Sequence, residues 1–88
     1  MYSIENLRKD ILKKEKEILK RENENKERNR ILVKVAEQYY NDGLLNASRG
    51  LFKSSLKFCQ QQQWEEGVNY AIKMIEEINN KIDALNKT

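Results

Sequence analysis

The chain has 88 residues and a net charge of +3, with 35% of its residues charged, 39% hydrophobic, one cysteine, no histidine and no proline. These numbers exclude an intramolecular disulfide and a cysteine-cluster metal site, and they leave Cys59 without a histidine to act as its base. No apolar run is long enough to cross a bilayer, the first twenty residues are too charged for a secretory signal, and an intracellular, cytoplasmic location is expected.

The only glycines are at 43, 50 and 67, while the helix formers Lys, Glu and Leu abound, so the composition predicts an all-α chain. A single domain of this length buries a modest share of its surface and is expected to gain from a partner.

In the first segment Ile4, Leu7, Ile11 and Ile18 are spaced by three, four and seven residues, on one helix face, and Leu12 and Leu19 widen the stripe. The seven-residue count continues through Asn25, Leu32 and Tyr39. Between them, "KRENENKERNR" at residues 20–30 holds no apolar side chain and is expected to stay out of any core. Either one helix spans about residues 3–42, or two helices meet near Asn23 to Asn25; the preserved phase favours one. The expected organisation is a charged amphipathic extension over residues 1–27 and a helical-bundle domain over 28–88.

Gly43, after Asn41 and Asp42, supplies a stop in the left-handed conformation that closes a helix. A second helix over about 44–60 would turn Leu45, Ser48, Phe52, Ser55 and Cys59 inward. The third, over about 64–86, has Trp64, Val68, Ala71, Ile75, Ile78, Ile82 and Leu85 at alternating spacings of four and three, a coiled-coil seam with Ile72 and Met74 beside it. Its approach, Gln60 to Gln63, reads as one helix ending and the next beginning. The two turns match at nineteen residues, Leu45 and Ser48 in one against Trp64 and Gly67 in the other: a large plug, then a small residue that admits close backbone approach. The fold expected is an antiparallel three-helix bundle whose first helix is long, continuous or divided.

Within residues 28–58, Leu32, Val35, Ala36 and Tyr39, then Gly43, then Leu45, Ser48, Phe52 and Ser55 resemble a tetratricopeptide-type helical hairpin. Serine stands where alanine is usual, the closing proline is absent, and the nineteen-residue overlap argues against tandem repeats. The layout around "YYNDGLLNASRGLFKSSLKF" also resembles microtubule-interacting and trafficking domains. That resemblance implies a three-helix binding module, an adaptor whose grooves hold short partner helices, without catalytic residues.

The residues themselves point to the same class. Cys59 lies on an apolar stripe, Glu65-Glu66 and Glu76-Glu77 are adjacent pairs on helix faces, and no phosphate-binding glycine loop is present, so neither an enzyme nor a cofactor, metal or small-molecule substrate is expected. Candidate partner-binding residues are Ile4, Leu7, Ile11, Leu12, Ile18 and Leu19 on the first helix, Tyr40 of the adjacent tyrosine pair, and Trp64, whose other reading is a core plug. The expected partner is a protein helix or a second copy of the chain. The alternative is a nucleic acid or anionic membrane bound by Arg8, Lys9, Lys13, Lys14, Lys16, Lys20 and Arg21, since residues 1–30 hold ten basic against seven acidic residues.

Overall fold

The computed structural model describes residues 4–87, which form three helices: α1, Ile4–Asn41; α2, Leu45–Gln61; and α3, Glu65–Asn86. The first helix is continuous, 38 residues and about 57 Å at 1.5 Å per residue. No glycine or proline interrupts it, and its charged centre is tied to the body by polar contacts. Asn25 Nδ2 lies 3.5 Å from Gln62 Oε1, and Asn29 Oδ1 accepts a 2.6 Å bond from Ser55 Oγ. The segment expected to stay out of the core therefore docks from Asn25 onwards, through its asparagines, without adding an apolar side chain to the core.

Pairings along the helices give the topology. Asn25 meets Gln62, Asn29 meets Ser55 and Ala36 meets Ser48, so α2 runs antiparallel to α1. Lys26 lies over Trp64, Glu37 bonds Tyr70 and Lys81 lies over Tyr40, so α3 runs parallel to α1. Helix α2 is the middle element, packed on both neighbours. Its predicted stripe is the one observed: Ser48, Phe52, Ser55 and Cys59 are buried and Leu45 is half-buried.

Ala36, Phe52, Met74 and Ile78 form the core, with Val33, Tyr40, Leu45, Leu51, Ile75 and Ile82 packed around it. Full burial of Phe52 and Ile78 stabilises the fold by about 1.5–3 kcal/mol each. On α3 the burial differs from the predicted seam. Met74, expected beside it, is buried, and Leu85, expected on it, is 66% exposed. Met74 joins Ala36, Phe52 and Ile78 in the core, and for Leu85 the cause is length: α3 is level with α1 from Trp64 near Lys26 to Lys81 near Tyr40, so its last turn overruns the end of α1.

Both interhelical turns have one hydrogen-bond pattern. Leu44 N–H donates to the Tyr39 carbonyl and Gly43 N–H to that of Tyr40; Trp64 N–H donates to the Cys59 carbonyl and Gln63 N–H to that of Gln60. Each is a Schellman closure, with Gly43 at φ 82° and Gln63 at φ 58° in the left-handed position. Leu44 and Trp64 then open the next helices, their carbonyls accepting from Ser48 N–H and Val68 N–H. The equivalent positions are thus twenty residues apart, Leu44 with Trp64, and not the nineteen expected from Leu45 with Trp64. Hydrogen bonding at the closure sets this register, whereas side-chain size suggested the other.

The small residues do allow close approach. A Cβ on Gly67 would lie 2.5 Å from Cys59 Sγ, so α3 starts against the end of α2 only because residue 67 has no side chain. Serine suits the two positions where alanine was expected because each hydroxyl is bonded. Ser48 Oγ donates to the Ala36 carbonyl at 2.7 Å, and Ser55 Oγ donates to Asn29 and lies 4.0 Å from Cys59 Sγ. Among the described residues no buried side-chain nitrogen or oxygen lacks a partner.

Candidate partner-binding site

Pairing of α1 with the rest of the chain begins at Asn25, so residues 4–24, roughly 30 Å of helix, project beyond the ends of α2 and α3. The molecule is accordingly elongated, 76 × 19 × 14 Å. Every residue from 4 to 24 is exposed. Ile4, Leu7, Ile11, Leu12, Ile18 and Leu19 each leave between 48% and 73% of their surface in solvent.

The direction of this stripe follows from helix geometry. Residues eighteen apart are separated by five turns of 3.6 residues and point the same way. Leu7, Ile11 and Ile18 thus repeat the directions of Asn25, Asn29 and Ala36, the residues that face α2. Arg8, Glu15 and Leu19 repeat those of Lys26, Val33 and Glu37, which face α3 or the core. The exposed stripe is the core-facing side of α1 carried on past the end of the core. Apolar spacing singles out the six aliphatic residues but passes over Arg8 and Glu15, which stand among them; the eighteen-residue correspondence finds both.

The junction between projection and body is built around Trp64. Its indole is half-buried, meets the Phe58 ring edge-on with centroids 5.7 Å apart, and carries Lys26 Nζ 5.6 Å above it. From there a shallow groove between α1 and α3 is lined by Lys26, Arg30, Val33, Trp64, Gly67 and Tyr70. Tyr70 closes its far end, donating its hydroxyl proton to Glu37. Partial burial, then the bond to Glu37 and the charges of Glu37 and Glu77, push the Tyr70 phenol up to about 12.

The sequence-derived candidates therefore fall into three places. Six share the projecting half of α1. Trp64 lies at the junction, neither a member of the central core nor free of it. Tyr40 packs against the core at the opposite end, with Lys81 Nζ 4.2 Å from its ring centre, and Tyr39 is the more exposed of the two tyrosines. Among the described residues no cluster of acidic, histidine or cysteine side chains could hold a metal ion, and no helix is long and apolar enough to cross a membrane. No protein-family model, curated protein or solved structure matches this chain.

Proposed function

We propose that the protein is a non-enzymatic assembly module, in which the α2–α3 hairpin and the second half of α1 anchor a projecting helix whose apolar side receives another helix. The observation that carries this reading is the collinearity of the exposed stripe with the core-facing side of the same unbroken helix. A helix face of this width is ordinarily covered, and no other part of the described chain reaches it. Helix-in-groove recognition uses the same spacing of anchors. The resemblance to tetratricopeptide-type and trafficking-type helical modules supports the same class of function, and the α1–α3 groove at Trp64 offers a second, smaller surface of that kind.

The test is the native mass of the tagged chain in cell extracts, compared with a variant carrying Ile11→Asp and Ile18→Asp. The wild-type chain is expected in an assembly larger than the monomer, with the variant released from it. Equal native mass for both would contradict the reading.

A second reading rests on Lys9, Lys13, Lys16 and Lys20, spaced four, three and four apart on the side of α1 opposite the stripe. That row suits phosphate groups of a nucleic acid or an anionic membrane. Binding through it would fall steeply as salt rises, whereas apolar helix pairing would not.

A further inference from the structure

Two charged residues sit within the apolar stripe of α1, and their order along it constrains what can cover it. Arg8 stands one turn from Ile4 and Leu12, and Glu15 one turn from Ile11 and Leu19, in the directions of Lys26, which reaches over Trp64, and of the half-buried Val33, so both lie inside any helix contact made through the stripe. We infer that the occupant is a second copy of this chain, its α1 laid antiparallel with the two-fold axis between Ile11 and Leu12. In that register Arg8 of each copy faces Glu15 of the other, Ile4 faces Leu19, and Ile11 faces Leu12. Leu7 and Ile18 come within half a turn of one another. Both charges within the stripe meet their opposites, and Ile4, Ile11, Leu12 and Leu19 meet one another.

A parallel, in-register pair does the reverse. It sets Arg8 against Arg8 and Glu15 against Glu15, two like-charge contacts inside an apolar seam. An antiparallel pair shifted two turns towards the bodies brings Glu15 against Glu15, and one shifted a single turn sets Arg8 against Leu19 and Glu15 against Leu12, each charge facing an aliphatic side chain. The chosen register also has room: Ile4 of one copy reaches Leu19 of the other, six residues short of Asn25, where the body begins. The two bodies stand at opposite ends of the joined helices.

The area agrees with a specific but modest dimer. Twelve aliphatic side chains from two copies, roughly 100 Å² of exposed surface each, supply on the order of 1,000 Å², the lower range of specific interfaces. The contact also extends a face that already packs within each chain, so no helix needs to rotate or bend. The inference rests on the assembly reading above and adds the partner, orientation and register to it.

The experiment uses the purified full chain. Sedimentation equilibrium is expected to show a dimer that persists at high salt. Arg8→Glu and Glu15→Arg, each converting two attractive contacts into two repulsive ones, are expected to raise the dimer dissociation constant about tenfold. The double variant, which restores opposite charges, should return to within about threefold of the wild type. Chains carrying Ile4→Cys mixed with chains carrying Leu19→Cys should form a disulfide-linked pair on mild oxidation, while Ile4→Cys chains alone should not. Cys59 is buried, and the wild-type chain serves as the control. Cross-linking of Ile4→Cys chains to themselves, or no recovery in the double charge variant, would overturn the antiparallel register. A monomer at all concentrations would overturn the second copy as occupant; if the stripe-dependent assembly in cell extracts persisted beside it, the assembly reading would stand with a different chain as partner.

Discussion

At the residue scale, the two turns are a natural comparison, because one closure is made twice with different chemistry. Gly43 takes its positive φ without steric cost, whereas Gln63 takes φ 58° with a Cβ pressed towards the backbone. Gln63→Gly should therefore stabilise the fold by about 1 kcal/mol, seen as a higher urea midpoint with an unchanged slope. A lower midpoint would show that the glutamine side chain contributes more than its backbone strain removes. The two remaining glycines oppose each other in the same way. Gly67→Ala drives a methyl group into Cys59 Sγ and should destabilise by about 1–3 kcal/mol, while Gly50→Ala, with nothing within 4 Å, should stabilise by about 0.5–1 kcal/mol. Adding Cys59→Ala to Gly67→Ala should recover part of the loss, since the offending atom is the sulfur; thermal melts of the three variants give the coupling. The sequence does not announce Gln63 as a left-handed residue, because glutamine has no conformational preference that signals one. Gly67 was legible as a close-approach position, but not which atom it approaches.

At the element scale, α2 and α3 were legible in the sequence almost residue for residue. Alternating spacings of three and four identify the buried side, and the glycine after Asp42 marks the first turn. The departures on α3 have a plain cause. Periodicity assigns Leu85 to the buried face, but the length of α1 decides how far along α3 that face is covered, and Met74, beside the seam, is buried because the core extends to its side of the helix. Helix α1 was the ambiguous element, because a polar stretch can be a joint or an exposed turn of helix, and only the polar docking of Asn25 and Asn29 separates the two. The tie between α1 and α3 has a pH signature. The Tyr70 phenol, held up to about 12 from its ordinary 10 by partial burial and Glu37, keeps its proton longer in the folded chain. Its contribution to stability is whole below pH 10 and is lost as pH rises from 10 towards 12. The stability difference between the wild type and Tyr70→Phe, followed by urea unfolding across that window, should shrink as pH rises. A difference independent of pH would show that the Tyr70 hydroxyl does not link the helices in solution.

At the scale of the whole molecule, the chain divides its length unequally between stability and reach. The body, from Asn25 onwards, holds the core and satisfies its buried polar groups, and the 21 residues of α1 from 4 to 24 add surface without adding to that core. The stripe was legible in the sequence as six aliphatic residues on one face. Its alignment with the packed side of α1 was not, because that depends on the helix being unbroken through residues 20–30. An unbroken helix makes the projection a straight continuation of the core-facing side of α1, with no joint at which to fold back onto its own body. Amide hydrogen exchange over residues 5–24 of the purified chain, measured at rising protein concentration in low and high salt, reports directly on whether the stripe is covered. Protection that grows with concentration and survives high salt is the predicted result; exchange at the rate of a free helix at every concentration, beside a protected body, would contradict self-assembly through α1.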